Sequence, residues 1–188
     1  MVSPRLARTL LVISSISWSA SPGAANSPTV YVLKNPQKQQ WCGFLNQQLW
    51  RSQIDEDGAL ETASVEFSDG HPLRIKLTEA DDPESGDWIA YDTYMLDDDG
   101  SVRSLQRTTN VLPGDVSRTE SFVNREGRLP KAGVTIKSLK TGRSVAPRKF
   151  WFPNRPLLRN VTAMPFSALL ARISDIHGTE PVCVSAVK

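Results

Sequence analysis

The sequence predicts a mainly β protein of the α+β class: an antiparallel, twisted meander sheet with one or two flanking helices. Three observations point there. From about Leu60 to Leu139 the chain consists of short runs rich in Val, Ile, Thr, Tyr and Phe, separated by polar turns containing Gly. Those turns are too short for helical crossovers, so neighbouring strands must run antiparallel. Apolar residues at helical spacing occur only towards the two ends. About five to seven strands are expected, within the usual range for a sheet. The composition agrees: 188 residues with 39% apolar and 22% charged side chains suit one folded domain and argue against disorder, collagen and coiled coil.

The first segment reads as a secretory signal. Arg5 and Arg8 form a basic start, Leu10 to Ile16 an apolar stretch too short to span a bilayer, and Ser21 to Ala25 a small-residue cleavage site. Cleavage near Ala25 is expected to leave residues 26–188 as a single globular domain, periplasmic or secreted. No later stretch approaches the ~18 consecutive apolar residues of a transmembrane helix.

Asn35 to Ser52 is predicted to be a helix. Asn35 can cap it, Pro36 suits its first position, and Trp41, Phe44, Leu45 and Leu49 recur at helical spacing. The strands follow. Val65 to Phe67 leads through Ser68-Asp69-Gly70-His71 into the alternating Leu73 to Leu77. Trp88 to Leu96 is apolar or aromatic on both faces, as a central strand should be. Asp97-Asp98-Asp99-Gly100 turns the chain into Ser101 to Val111, Pro113-Gly114-Asp115 into Val116 to Val123, and Asn124 to Gly127 towards a strand near Gly133 to Leu139. The recurring acidic-Gly turns, at Gly58, Gly100 and Gly127, are read as hairpin turns. After Ser144 the chain is irregular and Pro-rich. Phe166, Leu169, Leu170, Ile173 and Ile176 then predict a second helix that begins near Pro165 and stops at Gly178.

Export changes how the two cysteines read. In an oxidising compartment Cys42 and Cys183 are expected to form one structural disulfide between the two ends of the domain. No CxxC or CxxH spacing points to a metal. EF-hand registers fail at their first ligand, Met95 for the Gly100 turn and Gln53 for the Gly58 turn. The acidic loop with Asp81, Asp82, Glu84 and Asp87 is read as solvated rather than as an irregular calcium site. No metal and no cofactor are expected.

No GxSxG, HExxH, GxGxxG or Walker motif occurs, so no residue is assigned a catalytic role. Asp92 sits inside the aromatic strand, where an unpaired carboxylate is costly to bury; it is expected to pair with Arg103 or Arg107 on the next strand. The segment Arg148 to Pro156 concentrates three aromatics and three cations. Arg148, Lys149, Trp151 and Arg155 are its candidate binding residues, suited to stacking and to anions.

Charge is distributed unevenly. Without Arg5 and Arg8 the 22 basic residues fall to 20, equal to the 20 acidic ones, so the basic pI gives no support to a nucleic-acid partner. Ile54 to Ser101 holds 15 acids and two bases; Val102 to Lys188 holds 15 bases and five acids. The halves either neutralise each other across the sheet or form separate faces that steer a partner. The expected function is therefore a non-enzymatic binding, accessory or inhibitor-type protein of the bacterial periplasm, acting through charged faces on a protein or envelope polymer. The alternative is a small carboxylate-pair hydrolase acting on envelope glycans.

Overall fold

A computed structural model describes residues 28–81, 87–146, 150–178 and 180–186. The signal segment lies outside these residues, as do Arg148, Lys149, Asp82 and Glu84. Among the described residues the architecture is one antiparallel sheet with few helices, as the sequence predicts. Its strands are β1 (Thr29–Asn35), β2 (Gln40–Phe44), β3 (Glu61–Ser68), β4 (His71–Ala80), β5 (Trp88–Leu96), β6 (Val102–Val111), β7 (Val116–Val123), β8 (Lys131–Ser138) and β9 (Val182–Ser185). Their order in the sheet is β8-β7-β6-β5-β4-β3-β1-β2-β9. The meander from β3 to β8 is the predicted one. Its turns use the expected chemistry: Asp69 and Gly70 both have positive φ (51° and 82°), as do Glu126 and Gly127 (54° and 74°), which is the type I′ hairpin geometry.

The sheet has nine strands rather than five to seven because β1, β2 and β9 were not foreseen. The predicted helix from Asn35 to Ser52 is replaced by a hairpin and a later helix, α1 (Gln47–Asp57). Asn35 does not cap a helix. It ends β1, is buried, and its side chain accepts from the Lys38 amide at 2.8 Å to hold the turn into β2. Asn46 is the cap instead, accepting from the amides of Gln48 and Leu49 at 2.8 and 3.1 Å, worth about 1 kcal/mol. Gly58 closes α1 in the left-handed conformation, so this acidic-Gly sequence ends a helix rather than making a hairpin.

The two faces of the sheet differ. On the core face one register row runs Val30, Val65, Ile75, Tyr94, Leu105 and Phe122 across six strands, all buried. Met164, Phe166, Leu169 and Ile176, from the C-terminal segment, pack on this face. The ring of Phe166 lies 5.3 Å from that of Trp41. Each such side chain contributes about 1.5–3 kcal/mol on burial. The predicted second helix is broken. A single turn, α2 (Ser167–Leu170), is followed by a 3₁₀ turn at Ile173–Asp175, because Phe166 offers no capping acceptor and Arg172 leaves helical geometry (φ −113°, ψ 23°). Gly43 lets this segment close on β2: a Cβ there would lie 2.7 Å from Ile176 Cδ1 and 3.1 Å from Leu169 Cδ2. On the opposite face α1 covers Leu33, Cys42 and Phe44. The rest of that face is mostly polar, with Thr62, Thr78, Tyr91, Thr108, Thr119 and Thr135 in one row. Thr is the polar residue that suits a strand.

Cys42 and Cys183 are register partners on β2 and β9 and form the expected disulfide, spanning 141 positions. Replacing both by Ser should lower stability by about 2–5 kcal/mol. The midpoint of urea denaturation measures this, and the unsubstituted protein should lose the same stability on reduction.

Candidate functional site

Two features of the core face carry chemistry, and both lie towards the strand ends at which the apolar rows give out. The row beginning Val32, Ala63 and Leu77 continues as Asp92, Arg107, Glu120 and Val134. The next row pairs Glu61 with Glu79 and continues to Arg118 and Ile136 on β7 and β8. Charges therefore appear where a core would ordinarily continue, and each needs a partner.

Asp92 is the centre of the first feature. Its side chain is 0% exposed. Arg107, its register partner on β6, donates to it from Nε (3.0 Å to Oδ1) and from Nη2 (2.7 Å to Oδ2). Tyr94 donates its hydroxyl to Oδ2 at 3.1 Å. The second cation comes from far along the chain. Arg155 Nη1 donates to Oδ1 at 2.8 Å, and its Nε donates to Glu79 at 2.7 Å. Arg107 also reaches the covering segment directly, donating to the backbone carbonyls of Arg155 and Pro156 at 2.9 and 3.0 Å. Two guanidiniums and two carboxylates thus form a closed, neutral group beside a cavity of about 240 Å³. Burial first, and then the Asp92 charge, push the Tyr94 hydroxyl well above the ordinary tyrosine range. Burial alone would lower the pKa of Arg107, but its hydrogen bonds to Asp92 and the charge of that carboxylate outweigh it and raise it.

The second feature is a groove of about 510 Å³ at the β7–β8 end of the same face. Val134 and Ile136 of β8, Val145 hydrogen-bonded beside them, Phe150, Phe152 and Arg118 of β7 line it, together with Thr135 and Ser144. The Arg118 guanidinium stacks on Phe152, with its carbon 5.1 Å from the ring centre.

The predicted binding residues separate here. Trp151 is 65% exposed, between two half-buried aromatics that line the groove. Arg155 is not a surface cation: its side chain is 7% exposed and is committed to Asp92 and Glu79. Of the two partners considered for Asp92, Arg107 takes the role; Arg103 lies 3.8 Å from Asp97 instead. Arg118, Glu79 and Tyr94 were not singled out by sequence. Their roles depend on register and on where residues 150–156 cross the sheet, neither of which leaves a local motif.

Strand order also resolves the charge layout. Most acids of residues 54–101 lie in α1 and the turns, so strands β3 to β5 themselves hold four acids and two bases, whereas β6 to β8, which follow them towards one edge, hold five bases and one acid. Asp92 and Arg107 neutralise the junction. Beyond it, Arg125, Arg128, Lys137 and Arg143 are exposed and make no ion pair with a described residue. Among the described residues no group of three or more His, Cys, Asp or Glu side chains could hold a metal, and no helix is long and apolar enough to cross a membrane. Comparison with known proteins gives no match: no family model fits the chain, and no curated protein or solved structure matches it.

Two outcomes follow from the Asp92 group. Asp92→Asn leaves buried guanidiniums short of a carboxylate and should cost about 3–5 kcal/mol, read from chemical denaturation at neutral pH. Tyr94 ionises more readily unfolded than folded. Its contribution is therefore complete below the unfolded value of about 10 and is lost as pH rises beyond it. Stability measured from pH 8 to 11 should fall more steeply above pH 10 in the unsubstituted protein than in Tyr94→Phe.

Proposed function

We propose that the protein is an exported binding or accessory protein of the bacterial periplasm, of inhibitor type rather than an enzyme, that engages an anionic protein or envelope polymer through the basic end of its sheet. The observation that carries this reading is the set of exposed cations around β8. Arg125 and Arg128 flank one end of the strand, and Lys137 and Arg143 lie at the other, none held by an internal acid among the described residues. An eight-residue strand is roughly 25 Å long, so these charges form an extended strip suited to a polymer or a protein surface. Such a strip steers association and fixes orientation.

The carboxylate-pair alternative finds its acids beside the polar cavity, but each is held by a cation: Glu61 by Lys34, Glu79 by Arg155, and Asp92 by Arg107 and Arg155. A general acid must carry a proton that it can give up. Carboxylates fixed in ion pairs suit structure better, so binding is the preferred reading.

The test is capture of acidic envelope polymers and proteins by the immobilised protein at low salt. Retention should fall steeply as salt rises past ~0.15 M, where the Debye length shrinks below about 8 Å. The double variant Arg125→Glu, Arg128→Glu should lose at least about tenfold in affinity, while its denaturation midpoint stays unchanged. Capture that is indifferent to salt and to this charge reversal would overturn the electrostatic reading.

A further inference from the structure

The groove at the β7–β8 end contains a cation used differently from the others on its face. Arg107 spends the whole side of its guanidinium on one carboxylate, with Nε and Nη2 both donating to Asp92. Arg118, in the next register row on the adjacent strand, places Nη2 on Glu120 at 2.6 Å and keeps 27% of its side chain exposed at the groove; its Nε is sealed from solvent and has no hydrogen-bond partner among the described residues. Charge distinguishes the two arginines as well. Glu120 is shared by Arg118 and Lys131, so this group carries one positive charge in excess, whereas Arg107, Asp92, Arg155 and Glu79 balance. Around Arg118 the lining is mainly apolar, with Val134, Ile136, Val145, Phe150 and Phe152 beside the polar Thr135 and Ser144. Val134 is 51% exposed although it faces the core side of the sheet. The volume of about 510 Å³ lies within the range of sites for small molecules.

We propose that this groove is a binding site for a single-chain amphiphile with a carboxylate head. The carboxylate pairs with the part of the Arg118 guanidinium that lines the groove and neutralises the excess charge. The apolar chain lies between β8 and the Phe150–Phe152 wall. Charge-assisted hydrogen bonds from a planar guanidinium edge favour a carboxylate over an uncharged or cationic head. The site is distinct from the exposed cations on which the polymer-binding reading rests, and either can fail without the other.

The experiment is calorimetric titration of the full domain with dodecanoate, dodecanol and dodecyltrimethylammonium, each below its micelle concentration, at pH 8. Dodecanoate should bind best. Arg118→Gln should weaken it by about tenfold or more while leaving dodecanol unchanged. Arg118→Lys, which keeps the charge but loses the fork, should recover only part of the loss. Phe152→Ala should weaken all three ligands. The turn variant Arg125→Glu, Arg128→Glu should bind dodecanoate normally. Denaturation midpoints establish that each variant is folded. The proposal is overturned if dodecanoate binds no better than the cationic amphiphile, if Arg118→Gln binds it unchanged, or if none of the three ligands binds.

Discussion

The arrangement depends on one buried carboxylate. Asp92 occupies a core-facing position in the middle of the sheet, with Leu77 opposite it on one side and Arg107 on the other. A charge there is tolerable only when cations reach it with good geometry. One cation is supplied by register, since Arg107 is directly opposite on β6. A slip of one residue would turn Arg107 to the other face and strand both charges. The other is supplied by the covering segment, because Arg155 arrives from 63 positions away. Ion pairs of this kind add little net stability compared with an apolar replacement, yet they penalise the wrong pairing heavily. Asp92 is thus better understood as a key that admits one register and one docking position than as a source of stability.

That key fixes one end of the covering segment, and the disulfide fixes the region beyond the other. Arg155 and Pro156 are bound to the polar group through side chain and backbone, and Cys183 is bonded to β2. Between these anchors Phe166, Leu169 and Ile176 need no continuous helix to reach the core. Short turns are enough, and Gly43 provides the space for two of the three. The two anchors are of different kinds. One resists reduction but depends on charge, and the other resists salt but depends on an oxidising compartment.

How far the sequence discloses this follows from the range of each interaction. The meander was legible because its signals are local: β5 and β7 have the predicted ends, and acidic-Gly pairs turn the chain at Asp69-Gly70 and Glu126-Gly127. That Asp92 pairs with a cation of the next strand was legible too, since sequential strands are usually neighbours, but the choice of Arg107 over Arg103 needed the register. The first hairpin was not. Trp41, Phe44 and Leu45 satisfy helical spacing, but Trp41 and Phe44 also fit opposite faces of a strand, and Asn35-Pro36 serves a turn as well as a cap. Arg155 could be noticed among its aromatic neighbours, but not its destination. Arg118 carried no mark at all, because what distinguishes it is an unbalanced charge beside a groove rather than a residue pattern.

The two arginines also show why the structural group and the groove belong together. Chemically they are alike and they stand on adjacent strands of one face; what differs is what lies over them. Above Arg107 the covering segment presents two carbonyls, which with Asp92 satisfy its donors from within. Above Arg118 the segment presents the ring face of Phe152, which attracts a cation but supplies no counter-charge. Phe152 precedes Arg155 by three positions, a reach of at most roughly 10 Å, and Pro153 lies between them and stiffens the link. The ion pair at Asp92 therefore sets where the aromatic wall can stand. A closed, neutral group in the core holds an open, positively charged one at its margin, and any ligand of the groove would be bound against a wall whose position Asp92 determines.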